Sequence, residues 1–122
     1  MLLEFAISNF RSYKNPSVLS LTTNNTESQK KGFSSKTGNS FAPQASHLTA
    51  LFGANGSGKS GAIDALNLMQ YLVLFSATRK TQGDKLPYYP YKLNTKCLKK
   101  PTQFEIIFVH KKTVYQYGFS YD

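Results

Sequence analysis

The chain has 122 residues, of which 40% are hydrophobic, and its nine Phe and eight Tyr can supply the core of one domain or part of one. The net charge of +9 favours a polyanionic partner or an acidic remainder elsewhere, and the single cysteine, Cys97, excludes an internal disulfide framework. Glu4 interrupts any signal-peptide core and no apolar run could span a bilayer, so we expect a cytoplasmic protein without membrane partners.

The first 46 residues predict a β-ribbon followed by a polar loop. Apolar residues alternate over residues 3–7, which is typical of a half-buried strand. A turn then leads into a second strand, and we expect the two strands to pair as an antiparallel ribbon over residues 1–22. Residues 23–46 are rich in Ser, Thr, Asn, Lys and Gly and are predicted to form a long polar loop.

Residues 47–75 predict a strand, a phosphate-binding loop and a helix. The apolar run 47–52 indicates a buried strand, and residues 61–75 have an apolar face at helical spacing, wide enough to pack on more than one side. Between them lies a match to G-x-x-x-x-G-K-[ST], which chance would give roughly once in a few hundred chains of this length. The predicted phosphate-binding residues are Gly53, Ala54, Asn55, Gly56, Ser57, Gly58, Lys59, Ser60 and Gly61.

The chemistry of a triphosphate explains why these residue types are needed. A helix N-terminus offers unpaired N–H groups and a partial positive charge, and Gly53, Gly56 and Gly58 let the loop curl around a phosphate. Lys59 is expected to reach the β- and γ-phosphates, and the Ser60 hydroxyl to bind Mg²⁺. ATP and Mg²⁺ are therefore the predicted cofactors. The alternative is a glycine-rich turn with a chance lysine.

Residues 76–101 are predicted to form a loop, and residues 102–122 an aromatic β-hairpin. Pro87 and Pro90 disfavour helix before them, so the tyrosine-rich segment 86–93 should be extended. Its three tyrosines either stack on nucleic-acid bases or pack across a sheet edge. Aromatic residues alternate along both strands of the hairpin, which predicts one aromatic face.

Several segments, in this order, resemble one group of ATPases. They are a first strand ending in Asn-Phe-Arg-Ser, then Leu-Phe-Gly-Ala-Asn-Gly-Ser-Gly-Lys-Ser, then Ala-Ile-Asp-Ala-Leu. The chain is similar to the start of the SMC/RecF/OLD group of ABC-type ATPases. Residues 86–93 and the closing Tyr-Gln-Tyr-Gly-Phe-Ser look more like one branch, the bacterial stand-alone ATPases linked to abortive infection and anti-phage systems.

The resemblance implies an α/β fold, a P-loop NTPase of the ABC-type head, with an antiparallel β-subdomain beside a core sheet. Two such heads sandwich two ATP molecules, so a homodimer is implied, with DNA or an associated nuclease or toxin as effector. Arg11 and Ser12 match the family and are expected to contact the nucleotide, unless Arg11 is a surface turn residue. Gly61 departs from the family pattern and costs the helix about 1 kcal/mol.

The sequence offers no candidate catalytic residue. It lacks an apolar strand ending in Asp-Glu, a Leu-Ser-Gly-Gly-like signature and a switch histidine, so hydrolysis is expected to need residues outside this chain. We interpret the 122 residues as an incomplete head, its N-terminal third or less, that binds Mg-ATP in anti-phage defence. Two alternatives stay open: a RecF- or SMC-like ATPase of DNA repair or recombination, and a truncated, non-catalytic protein that binds nucleic acid or a partner.

Overall fold

The computed structural model describes residues 1–24, 30–79 and 83–122. In this part of the chain, an α-helix, α1, spans Lys59–Arg79 and a 3₁₀ helix spans Thr95–Lys99. The strands are β1 Leu2–Ser8, β2 Ser17–Ser20, β3 Ser34–Lys36, β4 Gln44–Ser46, β5 Thr102–His110 and β6 Thr113–Tyr121. Parts of the two loops predicted for 23–46 and 76–101 lie outside the described residues.

The strands form two sheets. One has four strands in the order β2-β1-β5-β6, and β3 and β4 pair antiparallel in the other. Two residues join β5 to β6, and both have positive φ, 48° at Lys111 and 68° at Lys112. Positive φ at both central residues is the conformation whose twist suits a tight hairpin. The side chain of Asn39 supports the turn by donating to the Lys112 carbonyl at 3.0 Å.

The chain divides into two compact units. Unit 1 consists of Met1–Ala6, Val18–Leu51 and Glu105–Gly118, and unit 2 of Ile7–Ser17, Phe52–Phe104 and Phe119–Asp122. Within unit 1, small and branched apolar side chains form a core. Its buried members are Leu3, Ala42, Ala45 and Val109, against which Ile107 and Val114 pack.

Within unit 2, α1 and an aromatic cluster supply much of the buried surface. The Phe104 ring centroid lies 5.5 Å from that of Phe10 and 6.0 Å from that of Phe119. Helix α1 buries one stripe at helical spacing, formed by Ala62, Ala65, Met69 and Leu72. Leu68 and Phe75, which led to the prediction of packing on more than one side, are half-buried, whereas Ile63 and Val73 are exposed. No helix among the described residues has the length and apolarity to cross a membrane.

The strand predicted for residues 47–52 is wrong. These residues form no strand, and the Phe52 side chain is 92% exposed. An apolar run can form a buried strand only where neighbouring strands satisfy its N–H and C=O groups. No strand in the described part of the chain pairs with this segment.

The two predicted loops contain regular structure. Residues 23–46 include β3 and β4, whose short polar sequences carry no hydrophobic alternation that could have predicted them. Residues 76–101 include the end of α1 and the 3₁₀ helix. Asn94 begins the 3₁₀ helix, because its side-chain oxygen accepts a hydrogen bond from the Lys96 N–H at 3.0 Å.

Candidate functional site

The glycine-rich loop directly precedes α1, and its glycines are needed for different reasons. Gly56 and Gly58 have φ of 80° and 103°, a region that side chains other than glycine rarely adopt. Gly53 has ordinary φ, but a Cβ added there would lie 2.5 Å from Ser57 Oγ. The local sequence therefore fixes both the path of the loop and the space inside it.

The N-terminus of α1 is open to an anion. The Ala62 N–H donates to the Gly58 carbonyl at 3.0 Å and closes the first helical turn, so the N–H groups just before it stand outside the helical ladder. The first turn contains no acidic residue, so no side chain of that turn neutralises the partial positive charge of the helix. Such an end favours phosphate or another anion.

The Lys59 ammonium is held inside the loop by the loop itself. It donates to the carbonyl of Gly53, to that of Ala54 at 2.7 Å and to Ser57 Oγ at 3.4 Å. An ammonium has three donors, so these acceptors occupy all of them. The lysine is thereby positioned at the loop, beside the start of α1.

A two-residue turn brings Arg11 and Ser12 to the loop. Phe10 and Tyr13 exchange backbone hydrogen bonds of 3.0 and 2.8 Å, which leaves Arg11 and Ser12 at the tip. The Arg11 guanidinium bonds the Asp64 carboxylate of α1 and lies 5.6 Å from the ring centroid of Tyr89. Arg11 is therefore an exposed turn residue, as the alternative interpretation has it, and it also contacts α1 and Tyr89.

The turn and the loop line one cleft, which we call the loop cleft. Its volume is about 280 Å³, and its lining is cationic and polar without a carboxylate. Ser60 is exposed, and its hydroxyl makes no hydrogen bond to the described residues. Gly53, Ala54 and Ser57, which the sequence also predicted, serve instead as acceptors for Lys59. The lining residues are Arg11, Ser12, Asn55, Gly56, Gly58, Lys59, Ser60 and Gly61.

Tyr13 is a supporting residue that the sequence did not reveal. Its hydroxyl donates to the Gly58 carbonyl at 2.9 Å, and its ring would lie 3.4 Å from a Cβ added at Gly58 or Gly61. Gly61, the departure from the family pattern, is buried, and a Cβ there would be in van der Waals contact with the tyrosine ring. No local pattern could predict a contact between residues 45 positions apart.

Asn9 is a second residue whose role was missed. It is buried with φ of 49°, which asparagine tolerates better than most residues. Its amide nitrogen donates to the carbonyls of Cys97 at 2.8 Å and Lys100 at 2.7 Å, and its amide oxygen accepts from the Tyr91 N–H at 3.1 Å. The Thr102 hydroxyl donates to its backbone carbonyl at 2.9 Å. Asn9 therefore fastens the end of β1 to residues 91–102.

The tyrosine-rich segment borders a second cleft, which we call the tyrosine cleft. Its volume is about 560 Å³, and it shares Arg11, Ser12 and Gly56 with the loop cleft. The remaining lining residues come from one continuous stretch, Tyr89, Pro90, Tyr91, Lys92 and Leu93. All residues of both clefts belong to unit 2.

Hydrogen bonds hold the tyrosine-rich segment in place. The Arg11 N–H donates to the Tyr89 carbonyl at 2.7 Å, and the Tyr121 hydroxyl donates to the Pro87 carbonyl at 2.9 Å. Burial, reinforced by Tyr89 and Tyr88, raises the pKa of Tyr121 to about 12, so this hydroxyl keeps its proton at neutral pH.

Among the described residues, no group of three or more His, Cys, Asp or Glu could hold a metal ion.

A protein-family model described as "AAA domain, putative AbiEii toxin, Type IV TA system" matches residues 48–122. The matched range includes the glycine-rich loop, α1, the tyrosine-rich segment and the β5–β6 hairpin. An AAA domain is a P-loop NTPase, so the match supports the fold class predicted from the sequence at that level. No curated protein matches the chain.

Proposed function

We propose that this chain binds Mg-ATP through residues 53–60. The chain belongs to the family described as "AAA domain, putative AbiEii toxin, Type IV TA system". The loop cleft carries the proposal. Two cations, Arg11 and Lys59, line it together with the N-terminus of α1, and no carboxylate of the described residues lines it. Positive charge and backbone donors converging on one small space are the groups that bind a triphosphate.

The hydrogen bonds of Lys59 are compatible with this function. Its ammonium now donates to neutral acceptors of the loop, namely two carbonyls and a hydroxyl. A phosphate oxygen is an ionised acceptor, so it adds to the hydrogen bond a charge–charge attraction that a neutral carbonyl does not supply. Phosphate should therefore draw the ammonium away from the loop's own carbonyls.

The residues present fit Mg²⁺ as an ion shared with the nucleotide. Ser60, the second residue of α1, is exposed and lines the loop cleft. Mg²⁺ keeps several waters and takes few protein ligands where substrate phosphates complete its shell. When bound, it would supply positive charge to the β- and γ-phosphates. Ser60 is therefore the residue we assign to the metal.

The hydrolytic step is not assigned to a residue of this chain. The described residues that line the loop cleft contain neither a carboxylate nor a histidine that could orient an attacking water. We infer an ABC-type arrangement, in which two heads form a homodimer around ATP and further groups complete the site. This inference depends on the similarity to the SMC/RecF/OLD group.

For the biological role we propose anti-phage defence, with ATP binding coupled to a toxin or nuclease effector. The toxin–antitoxin description of the family supports it. DNA repair or recombination by a RecF- or SMC-like ATPase remains the second candidate. The net charge of +9 also agrees with a protein that binds nucleic acid without catalysis.

Titration with fluorescent ATP in the presence of Mg²⁺ tests the binding proposal. Lys59→Ala should weaken binding by about 100-fold or more, the loss expected for charged hydrogen bonds to phosphate. Lys99→Ala is the matched control, since this lysine ends the 3₁₀ helix and lines neither cleft. Equal affinity of the two variants would refute the assignment of residues 53–60 to phosphate.

A further inference from the structure

We propose that the tyrosine cleft is the nucleoside subsite, in which the base of bound ATP packs against residues 89–93. This inference depends on the proposed binding of ATP in the loop cleft. The first observation is continuity, because Arg11, Ser12 and Gly56 line both clefts. A ligand whose phosphates lie at the loop therefore has the tyrosine cleft directly beside it.

The sizes of the two clefts support this division. The loop cleft, at about 280 Å³, is below the range of about 300–1,000 Å³ that is usual for small-molecule sites. The tyrosine cleft, at about 560 Å³, lies within it. The loop cleft thus suits the phosphates, and a whole nucleotide requires the space next to it.

The lining becomes less polar from the loop cleft to the tyrosine cleft, as a nucleotide does from its phosphates to its base. The loop cleft is lined by glycines, polar side chains and two cations. Besides Lys92, the tyrosine cleft adds Tyr89, Pro90, Tyr91 and Leu93, which offer aromatic and aliphatic surface. A base has apolar faces that stack on aromatic rings, whereas phosphates need charge and N–H donors.

The wall of the tyrosine cleft is held before any ligand arrives. The Tyr89 carbonyl accepts from the Arg11 N–H, and the Tyr91 N–H donates to the buried amide of Asn9. These two hydrogen bonds are made by backbone groups of alternate residues, and together they fix the direction of the segment. Such preorganisation lowers the entropy that binding must overcome.

Leu93 is the lining residue best suited to a test. Its side chain is 87% exposed, so it contributes little to the fold, and a base in the cleft would cover part of it. Leu98 is the matched control, since it is another exposed leucine, in the 3₁₀ helix and outside both clefts. Serine at either position removes apolar surface without adding charge.

The experiment compares ATP with inorganic triphosphate, each competing with fluorescent ATP for the protein in the presence of Mg²⁺. We expect Leu93→Ser to weaken ATP by about fivefold to tenfold, through lost apolar contact, and to leave triphosphate unchanged. Leu98→Ser should change neither ligand. Thermal unfolding of both variants should match that of the unsubstituted protein.

The outcomes separate this inference from the proposal it depends on. If ATP binds no more tightly than triphosphate, or if Leu93→Ser weakens both ligands equally, the nucleoside subsite is wrong while phosphate binding stands. If neither ligand binds, or Lys59→Ala has no effect on either, the proposed function itself is wrong. Both proposals are supported if Leu93→Ser weakens the binding of ATP but not of triphosphate, and Leu98→Ser changes the binding of neither.

Discussion

The two clefts of unit 2 are built in different ways. The loop cleft takes six of its lining residues from one short stretch, and the sequence between 53 and 61 already specifies its glycines, its lysine and its helix. The wall of the tyrosine cleft takes its position from Asn9, which bonds residues 82 to 92 positions away. A motif can therefore specify a phosphate site locally, while the space beside it depends on long-range contacts.

We expect the largest effect from removing the Asn9 side chain, which positions the wall of the tyrosine cleft. Asn9→Ala removes the amide hydrogen bonds to the Cys97 and Lys100 carbonyls and leaves the Tyr91 N–H without its partner, so we expect a loss of about 3 kcal/mol in the free energy of unfolding, about 1 kcal/mol for each bond. Denaturant unfolding measures it. ATP affinity should fall as well, because the wall of the tyrosine cleft loses its anchor.

Asn94→Ala is the control for that variant. Asn94 caps the 3₁₀ helix with one hydrogen bond to the Lys96 N–H, so its removal should cost about 1 kcal/mol and leave ATP affinity unchanged. Equal destabilisation by the two substitutions would show that Asn9 is not the anchor of residues 91–102.

A single methyl group added at Gly58 should distort the loop cleft. Gly58→Ala must hold φ near 103°, with its Cβ in van der Waals contact with the Tyr13 ring, so we expect about 2 kcal/mol of backbone strain and, because the strain lies in the loop itself, impaired ATP binding. Gly83→Ala is a close control, since Gly83 has φ of 101° with nothing within 4 Å of an added Cβ. It should show the backbone strain alone, with ATP affinity intact.

The contrast between local and long-range contacts explains which features could be predicted from the sequence. Helical spacing predicted a helix after the loop, and α1 occupies Lys59–Arg79. Hydrophobicity also predicted a strand at 47–52, but pairing depends on neighbouring strands that a local pattern does not contain. The roles of Asn9 and Tyr13 depend on contacts across 45 or more positions, for which a single sequence carries no signal.

Tyr121 provides a smaller test of the tyrosine-rich segment. Tyr121→Phe removes the donor to the Pro87 carbonyl and should cost about 1 kcal/mol at neutral pH. Because folding raises the pKa of this phenol from 10.0 to about 12, its contribution to stability is complete below pH 10 and is lost as the pH approaches 12. Unfolding measured between pH 7 and 11 should show this loss in the unsubstituted protein and a weaker pH dependence in Tyr121→Phe.

The smallest effect concerns Arg11, which belongs to both clefts. Its ion pair with Asp64 is about half exposed, with side chains 47% and 40% accessible, so Asp64→Asn should change stability by less than about 1 kcal/mol. A guanidinium freed from Asp64 is available to phosphate, and ATP affinity should rise by up to about fivefold, an advantage that high salt removes. In an Arg11→Ala background the gain should vanish. If Asp64→Asn still strengthened binding there, the carboxylate would act on the ligand directly and not through Arg11.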